Sequence, residues 1–401
     1  MSSKKLKGGP SLLRLPPPRR RIPGMAESIY LHVPFCEGRC AYCTFYSGED
    51  MSALLEYPGL LLREAEFLRG KELGLEEVGT IYLGGGTPGL LGERGLSEII
   101  DGLGRLAAIA PDAEITAETN PAVANDYKGI KRSGVKRLSL GVQALDDRLL
   151  KKLGRKHDAK EALRGVEMAL AAGLELSCDL MYGYPGLEPE ILADWGTLLA
   201  GMGVGHISSY SLEIPQNKAQ RDYLRGLGIR SDAVAEEKQW NLLFEALSKQ
   251  GLSCYEVSNF ALPGRESRHN RSYWSGRSYT GLGPGAHGYR REASPFGTRY
   301  WNEPSLEKYR SALLGGQPPP RKTETLSRRE ALLETLFLSL RQRRPLDLSA
   351  LSSRYALDEA RLLALLKTLI EGGDLESGLI PSPRGMRRAD GLALWLSGRI
   401  I

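Results

Sequence analysis

Ser28-Ile29-Tyr30-Leu31-His32-Val33-Pro34-Phe35-Cys36-Glu37-Gly38-Arg39-Cys40-Ala41-Tyr42-Cys43 joins a short apolar run to three cysteines spaced CxxxCxxC. Residues 28–33 read as a strand, so the cysteines fall on the loop that leaves its end. Three thiolates on one tight loop can hold three irons of a [4Fe–4S] cluster and leave the fourth iron free to bind something else. A structural zinc site would need four closed ligands and a second Cys/His pair at short spacing, and no such pair is present. A disulfide framework does not suit a chain with five cysteines in 401 residues and no secretory signal. Cys36, Cys40 and Cys43 are therefore expected to ligate a cluster with one open iron.

Composition narrows the function classes. A chain of 401 residues with 41% hydrophobic content can build one large domain and a small one. It has no apolar stretch of spanning length, which argues against an integral membrane protein, and reduced cluster-binding cysteines point to the cytoplasm. The formal charge of +6 invites a nucleic-acid reading, but Lys4, Lys5, Lys7, Arg14, Arg19, Arg20 and Arg21 outweigh it by themselves. The rest of the chain is close to neutral. This basic, Pro-rich head over 1–27 has too little apolar content to fold and is expected to be disordered. It lacks the apolar core of a secretory signal. An organelle address, an anionic-lipid tether and a true start at Met25 remain open, the last being preferred.

From 28 to 212, strands expected at 28–33, 79–83, 113–117, 137–141, 174–181 and 206–212 alternate with amphipathic stretches at 52–70, 95–109, 146–153, 159–172 and 187–201. Six strand–helix units in series predict an α/β fold, an incomplete TIM-type (β/α)6 barrel with functional residues at the C-terminal strand ends. The cysteine loop, Gly84-Gly85-Gly86-Thr87-Pro88, Glu118, Gln143, Asp179 and Glu213 all fall there. Residues 213–325 are less regular, with one clear helix at 232–250, and read as an extension of the barrel. Residues 326–401 read as helices at 327–341, 347–353 and 357–371, a Gly372-Gly373 turn and a short strand at Ile380. That pattern predicts a small winged-helix-like α domain. Its Arg and Glu residues alternate without a basic recognition face, so no nucleic-acid partner is expected.

The cysteine spacing and its flanks resemble the radical S-adenosylmethionine (SAM) superfamily, and Ile29 to Cys36 resembles the branch containing oxygen-independent coproporphyrinogen III oxidase and the heme chaperones. The resemblance runs from Ser28 to the C-terminus. It implies that the open iron chelates the amino and carboxylate groups of SAM. A triple glycine after a strand lets the backbone approach a ligand where any Cβ would clash. By resemblance, Gly85, Gly86 and Thr87 contact SAM. Glu118 can accept ribose hydroxyls, as acids do in dinucleotide folds, and Arg155 is suited to capture a carboxylate. The resemblance places Tyr30, Tyr42, Glu118, Gln143, Arg155 and Asp179 around SAM.

Within that branch the oxidases carry a further cysteine two residues after the third. Here the run is Cys43-Thr44-Phe45-Tyr46-Ser47, and Phe45 resembles the chaperone side, although Thr44 departs from its more usual Asp. His269-Asn270-Arg271-Ser272-Tyr273-Trp274 is similar to a chaperone-branch motif. A neutral imidazole is a common axial ligand, and Tyr273 and Trp274 could flank a porphyrin face. His269 is the expected heme ligand and His287 the runner-up; a buried aromatic cluster satisfying one His is the competing reading. His32 is expected to pack under the cluster loop, Cys178 and Cys254 to be buried thiols. The resemblance thus implies a heme chaperone without oxidase activity that binds heme, a [4Fe–4S] cluster and SAM and delivers heme to acceptors such as respiratory cytochromes. Homodimerisation through the cluster stays open. The alternatives are oxidative decarboxylation of coproporphyrinogen III and radical chemistry on an unrelated substrate.

Overall fold

The computed structural model describes residues 27–73, 76–121, 126–230 and 232–400, so the expected disorder of the basic head lies outside the described residues. Six strands follow in chain order: β1 (Glu27–Val33), β2 (Val78–Gly85), β3 (Ile109–Thr119), β4 (Arg137–Gln143), β5 (Glu175–Tyr182) and β6 (His206–Ser211). Each is parallel to the next. Their faces alternate between the inside of the curve and a layer of helices. On β1 and β2, Ile29, Leu31, Ile81 and Leu83 are fully buried in the main core. All six expected strands are present, and the helices between them begin and end where local chemistry dictates. Helix Tyr57–Leu68 starts later than the periodicity at 52–70 suggests, with Pro58 in its first turn. Helix Ala159–Ala171 opens on a reciprocal capping box between Asp158 and Glu161. Helix Asp147–Leu153 closes on Gly154 in the left-handed region.

The irregular stretch after β6 supplies more sheet than its sequence suggests. β7 (Ser253–Glu256) and β8 (Asn259–Ala261) form a hairpin that adds antiparallel to β6. β9 (Tyr279–Leu282) returns to the other edge and runs parallel to β1, with Ser28 opposite Tyr279. β10 (His287–Arg290), β11 (Thr298–Asn302) and β12 (Arg321–Thr325) extend that edge antiparallel. The result is one open sheet in the order β12-β11-β10-β9-β1-β2-β3-β4-β5-β6-β8-β7. A seventh parallel strand, supplied out of chain order, thus makes β1 an interior strand.

The C-terminal part has its own core, with Leu332, Leu336, Leu362, Leu366 and Leu396 at its centre. Helices Arg328–Leu340, Leu348–Tyr355 and Glu359–Glu371 lead into a hairpin of β13 (Leu375–Glu376) and β14 (Ile380–Pro381), so the strand expected at Ile380 is half of a two-stranded wing. Two further helices, Pro383–Arg387 and Ala389–Ile400, were not anticipated. Trp395 and Leu396 close the core from the last of them.

Helix Tyr57–Leu68 is tied to the added edge by a buried carboxylate. Glu64 is 1% exposed and accepts hydrogen bonds from the Gly283 amide (2.7 Å), the Tyr309 hydroxyl (2.7 Å) and Asn302 Nδ2 (2.6 Å). Three donors from outside the first six units converge on it. E64L is expected to orphan all three and to lower unfolding stability by about 3 kcal/mol or more. E64Q, which keeps one acceptor oxygen, should lose less. Urea unfolding of the two variants beside the wild type checks the order.

Candidate functional site

The cysteine loop is held down by its neighbours in the barrel. Cys36 N–H donates to Gly48 O and Gly48 N–H to Pro34 O, both at 2.9 Å, which closes the loop at its base. His32 sits beneath it as expected, Nε2 at 2.7 Å from Tyr46 O and Nδ1 at 3.1 Å from the Tyr30 hydroxyl. Tyr57, fully buried, donates to His32 O at 2.5 Å. On the far side Ala41 N–H bonds Leu153 O at 3.1 Å, and Gln220 Nε2 donates to Cys43 O at 3.0 Å.

The three thiols are unpaired and half-exposed on this loop, whereas Cys178 and Cys254 are buried, as expected. Burial pushes the Cys43 thiol up, and the charges of Cys40 and Cys36 add to the shift, so the three sulfurs share one neighbourhood. Among the described residues no three Cys, His, Asp or Glu side chains converge as a single metal ion would require. A multi-iron cluster meets each thiolate through a different iron, so its ligands need not converge on one point. The donor set fits a cluster and does not fit a mononuclear centre.

Gly84 to Thr87 run directly against this loop. Gly86 N–H donates to Val33 O (2.8 Å) and Thr87 N–H to Phe35 O (2.7 Å). A Cβ on Gly86 would lie 2.5 Å from Phe35 O, and one on Gly85, at φ +102°, 2.4 Å from the His32 ring. The glycines are therefore required by the approach of two backbone segments before any ligand is considered. The buried Thr87 hydroxyl lies 3.6 Å from Cys36 Sγ and accepts from Asn120 Nδ2 at 3.1 Å.

The expected strand-end residues gather beside it. Glu118 is a half-buried lumen residue: Oε1 accepts from the Tyr82 hydroxyl (2.8 Å) and Oε2 from Gly85 N–H (3.1 Å). Arg155 donates through Nη2 to Asn120 Oδ1 (2.5 Å) and Gly141 O (2.6 Å), while Nη1 lies 3.5 Å from Cys40 Sγ. Its Nε is buried without a partner, a donor aimed at nothing the protein supplies. Asp179 Oδ1 accepts from Ser139 Oγ at 3.0 Å. Gln143 ends β4 at φ +69°, a backbone conformation that non-glycine residues rarely adopt and that clusters at functional sites. Tyr42 packs beside Leu153, Met181, Tyr184 and Leu212, and Glu213 is exposed.

Tyr82 and Asn120 escaped the sequence reading. Their signals are slight: Tyr82 alternates with Thr80 and Gly84 along β2, and Asn120 follows Glu118 by two residues in Ala-Glu-Thr-Asn-Pro. Phe45 is 63% exposed at the edge of the cysteine loop.

His269 lies elsewhere, in helix Arg268–Trp274, 1% exposed. Its Nδ1 is 2.8 Å from Thr80 Oγ1 and its Nε2 is 3.0 Å from the Tyr273 hydroxyl, and its ring stacks on Tyr82 at 5.0 Å. Burial pushes its pKa down to about 3. Both nitrogens are thus engaged, and ligating iron would require His269 to release one of these bonds. His287 is exposed on β10 and stacks on Trp301 at 5.9 Å. His157 and His206, which have no special context in the sequence, are both buried; His206 bridges Ser177 Oγ (2.7 Å) and the Tyr255 hydroxyl (2.9 Å).

Two carboxyls stand near the lumen with raised pKa values. Burial, with Asp179 nearby, lifts Glu118 to about 7, and burial lifts Asp179 to about 6. The folded protein therefore keeps protons that the unfolded chain releases near pH 4, and this contribution to stability falls as pH rises to about 7. Removing one such group should flatten the slope by up to about 1.4 kcal/mol per pH unit. The stability difference between wild type and E118Q, both without cluster, should fall between pH 4.5 and 7. Urea midpoints across that range measure it.

Residues 30–195 match the family described as the radical SAM superfamily, and residues 326–387 match the HemN C-terminal domain. The chain is 35% identical to heme chaperone HemW of Mycobacterium tuberculosis H37Rv over 339 residues, covering 83% of this chain and 86% of that protein. Against heme chaperone HemW of Bacillus subtilis identity is 33% over 354 residues, covering 86% and 92%. Among solved structures, the coproporphyrinogen III oxidase HemN from Escherichia coli, a radical SAM enzyme, superposes with a TM-score of 0.77 at 20% identity, covering 94% of this chain and 91% of that one. That likeness is one of fold.

Proposed function

Because the chain belongs to the radical SAM superfamily and, within it, to the HemW family, we propose that it is a heme carrier that holds a [4Fe–4S] cluster and SAM and delivers heme to acceptor proteins. The observation that carries this reading is the pair of departures from an oxidase-type sequence: Phe45 stands, solvent-exposed, where a further cysteine would extend the cluster motif, and the HNRSYW segment forms a helix whose His269 packs on Thr80 and Tyr82 of β2. The likeness to the oxidase is one of fold at 20% identity and does not bear on either difference.

Cys36, Cys40 and Cys43 would hold the cluster, and when bound it supplies an open iron for the amino and carboxylate groups of SAM. The chain's own residues do the rest. Gly85, Gly86 and Thr87 present backbone at the loop with no side chain in the way. Glu118 offers its carboxylate to ribose hydroxyls, with Tyr82 and the Gly85 amide fixing its orientation. Arg155, held by Asn120 and Gly141 O, keeps one unpartnered N–H and stands beside Cys40. Tyr30, Gln143 and Asp179 complete the surround from neighbouring strands, and Tyr42 from the cysteine loop itself. The division of labour follows the chain: residues 28–212 serve cluster and SAM, while 213–325 and 326–401 serve heme.

Among the described residues no helix is long and apolar enough to cross a membrane. The acceptors are heme proteins such as respiratory cytochromes. Half-exposed thiolates that must stay reduced suit the cytoplasm, and the exposed edge of their loop leaves room for a second copy to meet the cluster. After anaerobic reconstitution, the protein should bind one equivalent of heme with a sharp Soret band. It should leave coproporphyrinogen III unchanged in the presence of SAM and a reductant. Absence of heme binding would overturn the carrier reading, and turnover would make the protein an oxidase.

A further inference from the structure

A cleft of about 550 Å³ opens between helix Arg268–Trp274, the added sheet edge and the C-terminal helices. It is within the size range of small-molecule sites. Tyr273, Trp274 and Tyr279 form one wall, with Tyr273 and Tyr279 meeting edge to face at 4.4 Å. The opposite wall is Leu338, Ala350 and Leu351 from the C-terminal helices. The two parts are fastened beside it: Gln342 Nε2 donates to Trp274 O at 2.8 Å, and the Arg341 guanidinium lies over the Trp274 ring at 5.7 Å.

Its charge is unbalanced. Five arginines line the cleft, against two acids. Arg299 is paired with Glu334 at 2.5 Å, and Asp347 is used as a helix cap, accepting from Ala350 N–H at 2.9 Å. Among the described residues Arg277, Arg291, Arg344 and Arg354 have no carboxylate partner. Arg291 reaches only Gly276 O (3.4 Å) and Arg344 only Ser275 Oγ (3.3 Å). Burial disfavours the charge of Arg344, and the nearby Arg271 and Arg277 add to the effect. Arg354 Nε and Trp274 Nε1 are buried with no hydrogen-bond partner. Like charges gathered around unpartnered donors cost stability unless an anion offsets them, and forked guanidinium groups suit carboxylates.

We propose that this cleft is a tetrapyrrole site: the macrocycle lies against Tyr273, Trp274 and Tyr279, and its two carboxylates are taken by the unpaired arginines, Arg277 and Arg344 foremost. A phosphate-rich ligand would use the arginines and leave the aromatic wall idle, so the flat dicarboxylate accounts for both. The site rests on the heme-carrier reading and adds its place and its recognition. That place is far from the cysteines. Tyr279 pairs with Ser28 at the start of β1, whereas the cysteine loop leaves its other end, about 20 Å away for seven residues of strand. His269 lies behind Tyr273, not in the cleft, and is a positioning residue for that ring.

The test uses metal-free protoporphyrin IX, followed by fluorescence, because its binding does not depend on an iron ligand. Its dimethyl ester, which has the same ring and no free carboxylate, is the comparison. The wild type should bind the free acid more tightly than the ester. R277E/R344E should lose about tenfold or more in affinity for the acid and no longer prefer it. A350W, which fills the cleft from the rim without changing charge, should weaken both ligands. Circular dichroism and cluster loading report whether the variants are folded. Equal binding of acid and ester by the wild type, no binding of either, or wild-type affinity in both variants would overturn the site. Heme binding by a wild type that ignores protoporphyrin would leave the carrier reading standing and remove this cleft from it. Failure to bind heme in a wild type that takes the free acid would do the reverse.

Discussion

The close approach of Gly85, Gly86 and Thr87 to the end of β1 is the constraint on which the site depends. Two amide hydrogen bonds, from Gly86 to Val33 O and from Thr87 to Phe35 O, pin the start of the cysteine loop to the end of the next strand. No side chain can intervene, because a Cβ at either glycine would collide with the backbone of residues 33–35 or with His32. The loop is therefore an extension of the sheet, and its three half-exposed thiols inherit the rigidity of the most buried strands. Thr87, at the end of β2, then reaches Cys36, and Arg155, held by Asn120 and by Gly141 O of β4, reaches Cys40.

The inner face of β2 extends this order down the barrel. Side chains on a strand alternate, so Thr80 and Tyr82 point to the same side while Ile81 and Leu83 pack into the core. Tyr82 bonds Glu118 at the upper end, and its ring stacks on His269 below. His269 bonds Thr80 and Tyr273. Turning the imidazole would break two hydrogen bonds in a buried setting, where unsatisfied polar groups are costly. The contacts from Tyr273 to Glu118 thus form one continuous packed and hydrogen-bonded column.

Much of this was legible in the sequence, and the parts that were not share a physical reason. The six parallel strands announce themselves because each is a buried apolar run between amphipathic helices. Cys36, Cys40, Cys43 and the triple glycine are visible because such residues at such spacing have few other uses. β7 to β12 stayed hidden. They are three to five residues long, and they gain their places because β8 and β9 pair with the edges β6 and β1, set far away in the chain, while the others build on these two. Asn120, Tyr82 and Glu64 were equally silent, since each matters through partners that only the folded chain brings near. The cleft beside Trp274 depends on arginines from four separate segments, and no local pattern could have joined them.

His269 shows how differently a motif reads in the sequence and in the fold. The sequence offers an imidazole beside two aromatic residues, which reads naturally as an iron ligand with flanking rings. In the fold the imidazole faces inward, with both nitrogens taken and its basicity suppressed by burial, while the next turn of the same helix turns Tyr273 and Trp274 toward the cleft. Residues four apart on a helix share a face, so His269 and Tyr273 meet each other, and only the outer member lines the open space. The inner one sets its position. In this fold the motif forms a wall with its support: the residue most suited to chemistry by type holds the ring that lines the cleft.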